Sequence, residues 1–256
     1  MRKFVWLVMF MFLLVGTAKA ELLGIARYLG NKPDIKFDNQ GRLGYDEQTD
    51  LLTLYNSVDE EIRLPDGSVV TLTDETYYTR VVGFGLAIYV DENGNFTGGV
   101  TNHTYTWNLA NDTDGDGIND ATFYDTYTSD YDMVEVLLKG SVNIAGHTYN
   151  ADNGPVVLLA GEIEAFGWDN LAVNSSQVDF LFNPIAGALV DDGIWPTSPL
   201  TGAFADIGGN LIWTSDFDYE NKGGDKFPTP EPATMLLVGA GLVGIGFFGR
   251  MKIRKK

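Results

Sequence analysis

Across residues 21–227 no long amphipathic helix can be read; short runs rich in Val, Thr, Tyr, Phe and Leu alternate with Gly, Asn and Asp. Arg42-Leu-Gly-Tyr45 and Leu51-Leu-Thr-Leu-Tyr55 flank Asp46-Glu-Gln-Thr49, and Ile62-Arg-Leu64 and Val69-Val-Thr-Leu72 flank Pro65-Asp66-Gly67. These interruptions predict hairpins, because Asp-Gly and Asn-Gly supply the positive φ that tight turns demand. Further strands are expected over 77–90, 98–107, 133–144, 156–168 and 178–182, with turns at Asn93-Gly94 and Asn153-Gly-Pro155. Within 156–168, the apolar Val156-Val-Leu-Leu159 gives way to Glu162 and Glu164 alternating with Ile163 and Ala165. That is the pattern of a strand buried on both faces that emerges with one face wet. Turn signals roughly every ten residues point to an all-β body over 21–219, a β-sandwich or jelly-roll. Residues 185–212 carry scattered Gly, Pro and Asp and place no strand, and 220–229, ENKGGDKFPT, read as a flexible linker.

The two ends follow other rules. Residues 1–20 open with Arg2-Lys3, continue uncharged over 4–16 and close on Ala18-Lys19-Ala20. This is the charged, apolar and small-x-small order of a secretory signal peptide; an uncleaved anchor is the alternative. Residues 233–249, ATMLLVGAGLVGIGFFG, contain no charge and would form a transmembrane helix about 26 Å long, against a bilayer core of about 30 Å. Five cations in 250–256 would hold that end on the cytoplasmic side, and Pro230-Glu231-Pro232 would stop the helix at its outer end.

Pro230-Glu231-Pro232, the Gly-rich apolar helix and the tail Arg250-Met-Lys-Ile-Arg-Lys-Lys256 together resemble the PEP-CTERM sorting domain of Gram-negative bacteria. The resemblance covers about the last thirty residues and implies that the chain is a substrate of exosortase, a membrane-embedded, cysteine transpeptidase-like enzyme. It implies an inner-membrane anchor before processing and then a cell-surface or extracellular-matrix destination, in company with exopolysaccharide and biofilm. About the fold of the body it implies nothing.

Charge sharpens the picture of that body. The 256 residues hold 35 Asp and Glu against 17 Lys and Arg, but eight of the cations lie in the two terminal segments. Residues 21–227 therefore set nine cations against 34 acids, a balance of −25. Such a surface repels phosphate backbones, which excludes a nucleic-acid partner and favours metal ions, neutral glycans or other proteins. No cysteine is present. An exported chain without disulfides must take its stability from core burial or bound ions.

The sharpest chemical motif is Asp112-Thr-Asp114-Gly-Asp116-Gly117-Ile118-Asn119-Asp120. Asp112, Asp114 and Asp116 fall at positions 1, 3 and 5 of an EF-hand-like calcium loop, with Gly117 at 6, the Ile118 carbonyl at 7 and Asp120 at 9. Position 12 is Phe123 where a bidentate Glu is expected, and a solvated acidic turn is the alternative. Asp125, Asp130, Asp132 and Glu135 follow closely and would repel one another without a cation, so calcium is the expected cofactor and its role structural. Glu162 and Glu164 have a spacing near that of a glycosidase pair, but two acids on one strand more simply form its wet side. His103 and His147 belong to no zinc or triad motif, and no HExxH, GxSxG or phosphate-binding Gly loop occurs. No catalytic residue is assigned. Tryptophans and tyrosines mostly suit a core, and Trp195, between Ile194 and Pro196, is the candidate for glycan contact. The expected function is that of a non-enzymatic surface or matrix protein. A carbohydrate-binding module is the competing class, and a hydrolase or lyase a third.

Overall fold

The computed structural model describes residues 22–23, 25, 33–37, 41–56, 60–72, 81–111, 121–198 and 200–228. Among them lie the strands β1 (Asp34–Phe37), β2 (Gly41–Asp46), β3 (Leu51–Asn56), β4 (Glu60–Arg63), β5 (Val69–Thr71), β6 (Val81–Val90), β7 (Phe96–Gly99) and β8 (His103–Asn111). They continue with β9 (Ala121–Ser129), β10 (Met133–Lys139), β11 (Ser141–Ile144), β12 (His147–Asn150), β13 (Val156–Ala172), β14 (Ser175–Ala186), β15 (Thr201–Ile207) and β16 (Phe217–Pro228). A short helix, α1 (Ala188–Asp191), lies between β14 and β15. The expected turns form where glycine permits positive φ, Gly67 at 87° and Gly94 at 80°. Two expected strands are each cut in two: 98–107 is broken before β8 by Asn102 at φ 58°, and 133–144 by Gly140 at φ 72°.

The strands β2, β3, β6, β10, β13, β14, β15 and β16 pair antiparallel, each with the next, and β16 returns to β2. The body is thus a closed eight-stranded up-and-down barrel, not the β-sandwich or jelly-roll expected from turn spacing. Alternating strands punctuated by turns describe either architecture; what separates them is one pairing between the ends of the chain, which leaves no local trace. Register shifts within β13–β14, β10–β13 and β15–β16 supply the bends that closure needs.

The closing strand β16 meets β2 over 217–221 and runs on through 220–228, the segment that the sequence presents as a linker. That segment is the second half of β16, held by β15 from Asn221↔Ile207 to Pro228↔Thr201 and by β1 from Gly224↔Phe37 to Lys226↔Ile35. The glycine at 224 reflects crowding between two neighbours. A Cβ on Gly224 would stand 2.1 Å from the Phe204 carbonyl oxygen and 2.4 Å from Phe37 Cζ.

Inward side chains from all eight strands fill the barrel, as this strand number requires, with Phe84, Phe180, Phe182, Leu43, Leu52 and Leu54 at its centre. Phe37 of β1 also enters, stacked on Phe84 at 5.5 Å. A separate cluster lies outside the barrel wall, where Tyr105 of the β8–β9 hairpin packs against Ala87, Val134 and Val136. Gly85 makes that approach possible, since a Cβ there would meet the Tyr105 ring at 2.5 Å.

Candidate functional site

The alternation of β10 sends Met133 and Leu137 into the barrel and Val134 and Val136 to its outer wall. Glu135 shares the inward face, at a register shift against β13. From β16, Lys226 enters beside Ile35 and Ala203, its partners in register. The Lys226 ammonium donates directly to Glu135 Oε2, and both residues are completely buried. Lys226 Nζ also stands 4.0 Å from the centroid of the Phe84 ring and 4.6 Å from that of Phe37, a cation–π seat on two faces. Glu135 Oε1 is buried and has no hydrogen-bond partner among the described residues. One of the nine cations of the body is therefore spent inside the core, in a pair whose carboxylate is half satisfied.

Three of the acids expected to crowd around a cation, Asp130, Asp132 and Glu135, go separate ways. Asp130 is exposed, and Glu135 is inside the barrel. Asp132 is buried and accepts the Ile163 N–H at 3.1 Å. Burial holds the Asp132 carboxyl above its ordinary range, a rise that the bond from Ile163 opposes and the charge of Glu162 reinforces. Glu162 and Glu164 are exposed on β13 with a register shift just after Ile163. His103 opens β8 with its ring 4.7 Å from that of Tyr105, and burial lowers its affinity for a proton. His147 opens β12, its Nδ1 3.2 Å from Asp192 Oδ2, which also accepts the Tyr149 hydroxyl at 2.7 Å.

Trp195 is not a surface platform. It is 1% exposed and donates from Nε1 to Thr201 Oγ1 at 2.9 Å, while its backbone N–H caps Leu189 after α1. Trp213 is buried in an aromatic cluster with Tyr45, Phe166 and Phe217. Trp168, half-buried beside it, donates to the Gly94 carbonyl at 3.1 Å.

Of the residues singled out in the sequence, Asp112, Asp114, Asp116, Ile118 and Asp120 lie outside the described residues, in the segment joining β8 to β9, whose ends are paired at Asn111↔Ala121. Pro230, Glu231, Pro232 and Arg250 also lie outside them, as do the expected signal peptide and transmembrane helix. Among the described residues no helix is long and apolar enough to cross a membrane. Sequence reasoning missed the Lys226–Glu135 pair. Its one local sign is an acid alone among apolar neighbours in Met133-Val-Glu-Val-Leu-Leu138.

Comparison with known proteins adds a single finding. The family model for the PEP-CTERM protein-sorting motif matches residues 228–255. No curated protein and no solved structure matches the chain. The matched segment begins at Pro228, the last residue of the strand that closes the barrel. The motif implies sorting by exosortase, and hence export through membrane processing to the cell surface. The chain is a PEP-CTERM sorting domain-containing protein.

Proposed function

We propose that the chain is anchored in the inner membrane by residues 233–249, is cleaved near Pro230-Glu231-Pro232, and is then released to the surface or exopolysaccharide matrix. There the barrel serves a non-enzymatic structural or interaction role. The observation that carries this reading is the junction at Pro228, where the closing strand of the cargo runs into the sorting motif. A handle built onto the last strand delivers a finished barrel, because the strand that completes the fold is the one that leads to the membrane. The sealed state of Lys226 and Glu135 supports a structural role, since groups without solvent exposure reach no substrate. We assign Asp112, Asp114, Asp116, Ile118 and Asp120 to one calcium ion on sequence spacing alone. The carbohydrate-binding alternative draws less support, because Trp195 and Trp213 face the interior.

The test is to follow the full chain in its host with exosortase present and absent. With the enzyme, the surface or medium should hold a form lacking 233–256; without it, or in Glu231→Ala, a longer form should stay with the inner membrane. An identical mass and location in both hosts would overturn the sorting reading. Binding of the released barrel to matrix polysaccharide through exposed aromatic residues would favour the carbohydrate-binding class instead.

A further inference from the structure

We propose that Lys226 and Glu135 form a self-generated covalent cross-link, an amide bond between Lys226 Nζ and Glu135 Cδ. The ammonium passes one proton to the carboxylate, and the neutral amine attacks Cδ. One C–O bond then breaks, and its oxygen leaves as water with that proton and a second one from the nitrogen. Atoms and charge balance, and no oxidant, nucleotide or cofactor is consumed.

Three features of the site drive the step. The reacting groups are already in contact, held on opposing strands of a closed barrel, so the reaction is unimolecular and its ordering cost is met by folding. The site is dry. Both residues are completely buried, with the rings of Phe84 and Phe37 against the amine and Met133 and Leu137 flanking Glu135 on the inward face of β10. Two charges in such a place are costly unless every lone pair is satisfied, and Glu135 Oε1 has no donor among the described residues. Condensation replaces both charges with one neutral amide, whose burial costs far less. In water, hydration of the ions opposes amide formation; here that hydration is already lost, and the released water escapes to bulk.

The placement gives the bond a use. Residues 135 and 226 are 91 apart in sequence, so the link would close most of the barrel into one covalent loop in a chain without cysteine. Lys226 lies two residues before the start of the sorting motif. Tension entering from the C-terminus would therefore pass from β16 directly into β10 instead of peeling the closing strand from its neighbours.

The full chain, purified native, then denatured and digested with trypsin, decides the matter by mass spectrometry. The expected product is a branched species joining the peptide that ends at Lys139 to the one that begins at Gly223, lighter by one water than the two together and uncut after Lys226. Lys226→Arg should give only linear peptides and migrate more slowly on a denaturing gel. Should Lys226→Arg fail to fold, the wild-type digest stands alone: native protein that yields linear peptides cut after Lys226 overturns the proposal. A bond of equal yield in protein kept in denaturant from synthesis onward would also overturn it, because the fold would not be its cause.

Discussion

Replacing Lys226 by Met removes the ammonium beside Glu135 while keeping most of the volume of the stem. What remains is a fully buried carboxyl with no donor at Oε1 and, now, none at Oε2. Its cheapest escape is to bind a proton. For a glutamate that titrates near 4.3 in the unfolded chain, protonation at pH 7 costs about 1.36 kcal/mol per pH unit, or about 3.7 kcal/mol. That falls inside the ~3–5 kcal/mol lost when one partner of a buried pair is removed. Removing the carboxyl as well, in Glu135→Leu/Lys226→Met, abolishes the penalty, so the double variant should be about 3–4 kcal/mol more stable than the single one. Neither variant can form an amide between the two positions, so the comparison reports charge burial alone. The sign with pH follows: the folded single variant holds a proton that the unfolded chain gives up, so its stability is intact below about pH 4 and declines as pH rises, by ~1.4 kcal/mol per unit. Urea unfolding followed by tryptophan fluorescence between pH 4 and 7 measures the gap. A gap under about 1 kcal/mol at pH 7, or one that ignores pH, would refute the reasoning, because it would mean that the carboxyl reaches water.

Gly224→Ala should lower stability by about 3 kcal/mol or more, at the upper end for overpacking, because the new Cβ meets the backbone of β15 as well as Phe37; an unchanged thermal midpoint would deny that close approach. Asp132→Asn should stabilise the protein at pH 7, since burial favours the protonated acid and its contribution is lost as pH rises above the ordinary value of 3.8. The gap should close below that pH, and thermal melts at pH 3 and 7 would reveal it; destabilisation at pH 7 would show that the charge is favourably partnered. Asn170 bridges β13 to the loop before β16, donating to the Leu211 carbonyl at 3.2 Å and accepting the Leu211 N–H at 2.9 Å, so Asn170→Ala should cost about 1–3 kcal/mol in urea unfolding. Calcium at about 100 times the dissociation constant of a weak extracellular-type site should stabilise the wild type by about 2.7 kcal/mol and Asp114→Ala not at all; a midpoint indifferent to calcium and chelator would remove that site.

Local chemistry made the strands legible. Asp66-Gly67 and Asn93-Gly94 turn where positive φ is demanded, and Leu158 and Leu159 are both buried before Glu162 and Glu164 take up the alternation. Hairpin signals operate over a few residues, so they carry over from sequence to structure. Barrel closure does not, because it depends on β16 meeting β2 across nearly the whole body. The same distance hid the candidate site. Lys226 in Gly-Gly-Asp-Lys-Phe reads as a solvated charge until its neighbours β1 and β15 enclose it, and Glu135 reads as part of an acidic run until the pleat separates it from Asp132. Single-sequence periodicity sees which residues share a face and not what that face meets.

The order of the strands also sets the order of folding. In a closed meander the first barrel strand stays unpaired on one edge until the last arrives, and here β2 waits for residues 217–221. Those residues lie only a few positions before the matched motif at 228–255. During export the barrel cannot close until almost the entire body has crossed the membrane, and a chain halted short of β16 would leave three strands, β1, β2 and β15, without a partner on one edge. Burying Lys226 and Glu135 is part of that last step, since their contact exists only when β16 is seated. Two charges in a core contribute little net stability, but an unpaired one is strongly penalised, so the pair rejects a misregistered or absent closing strand. Removing the carboxyl would relax that requirement, which makes the pair a device for completeness of the barrel before the sorting signal is spent.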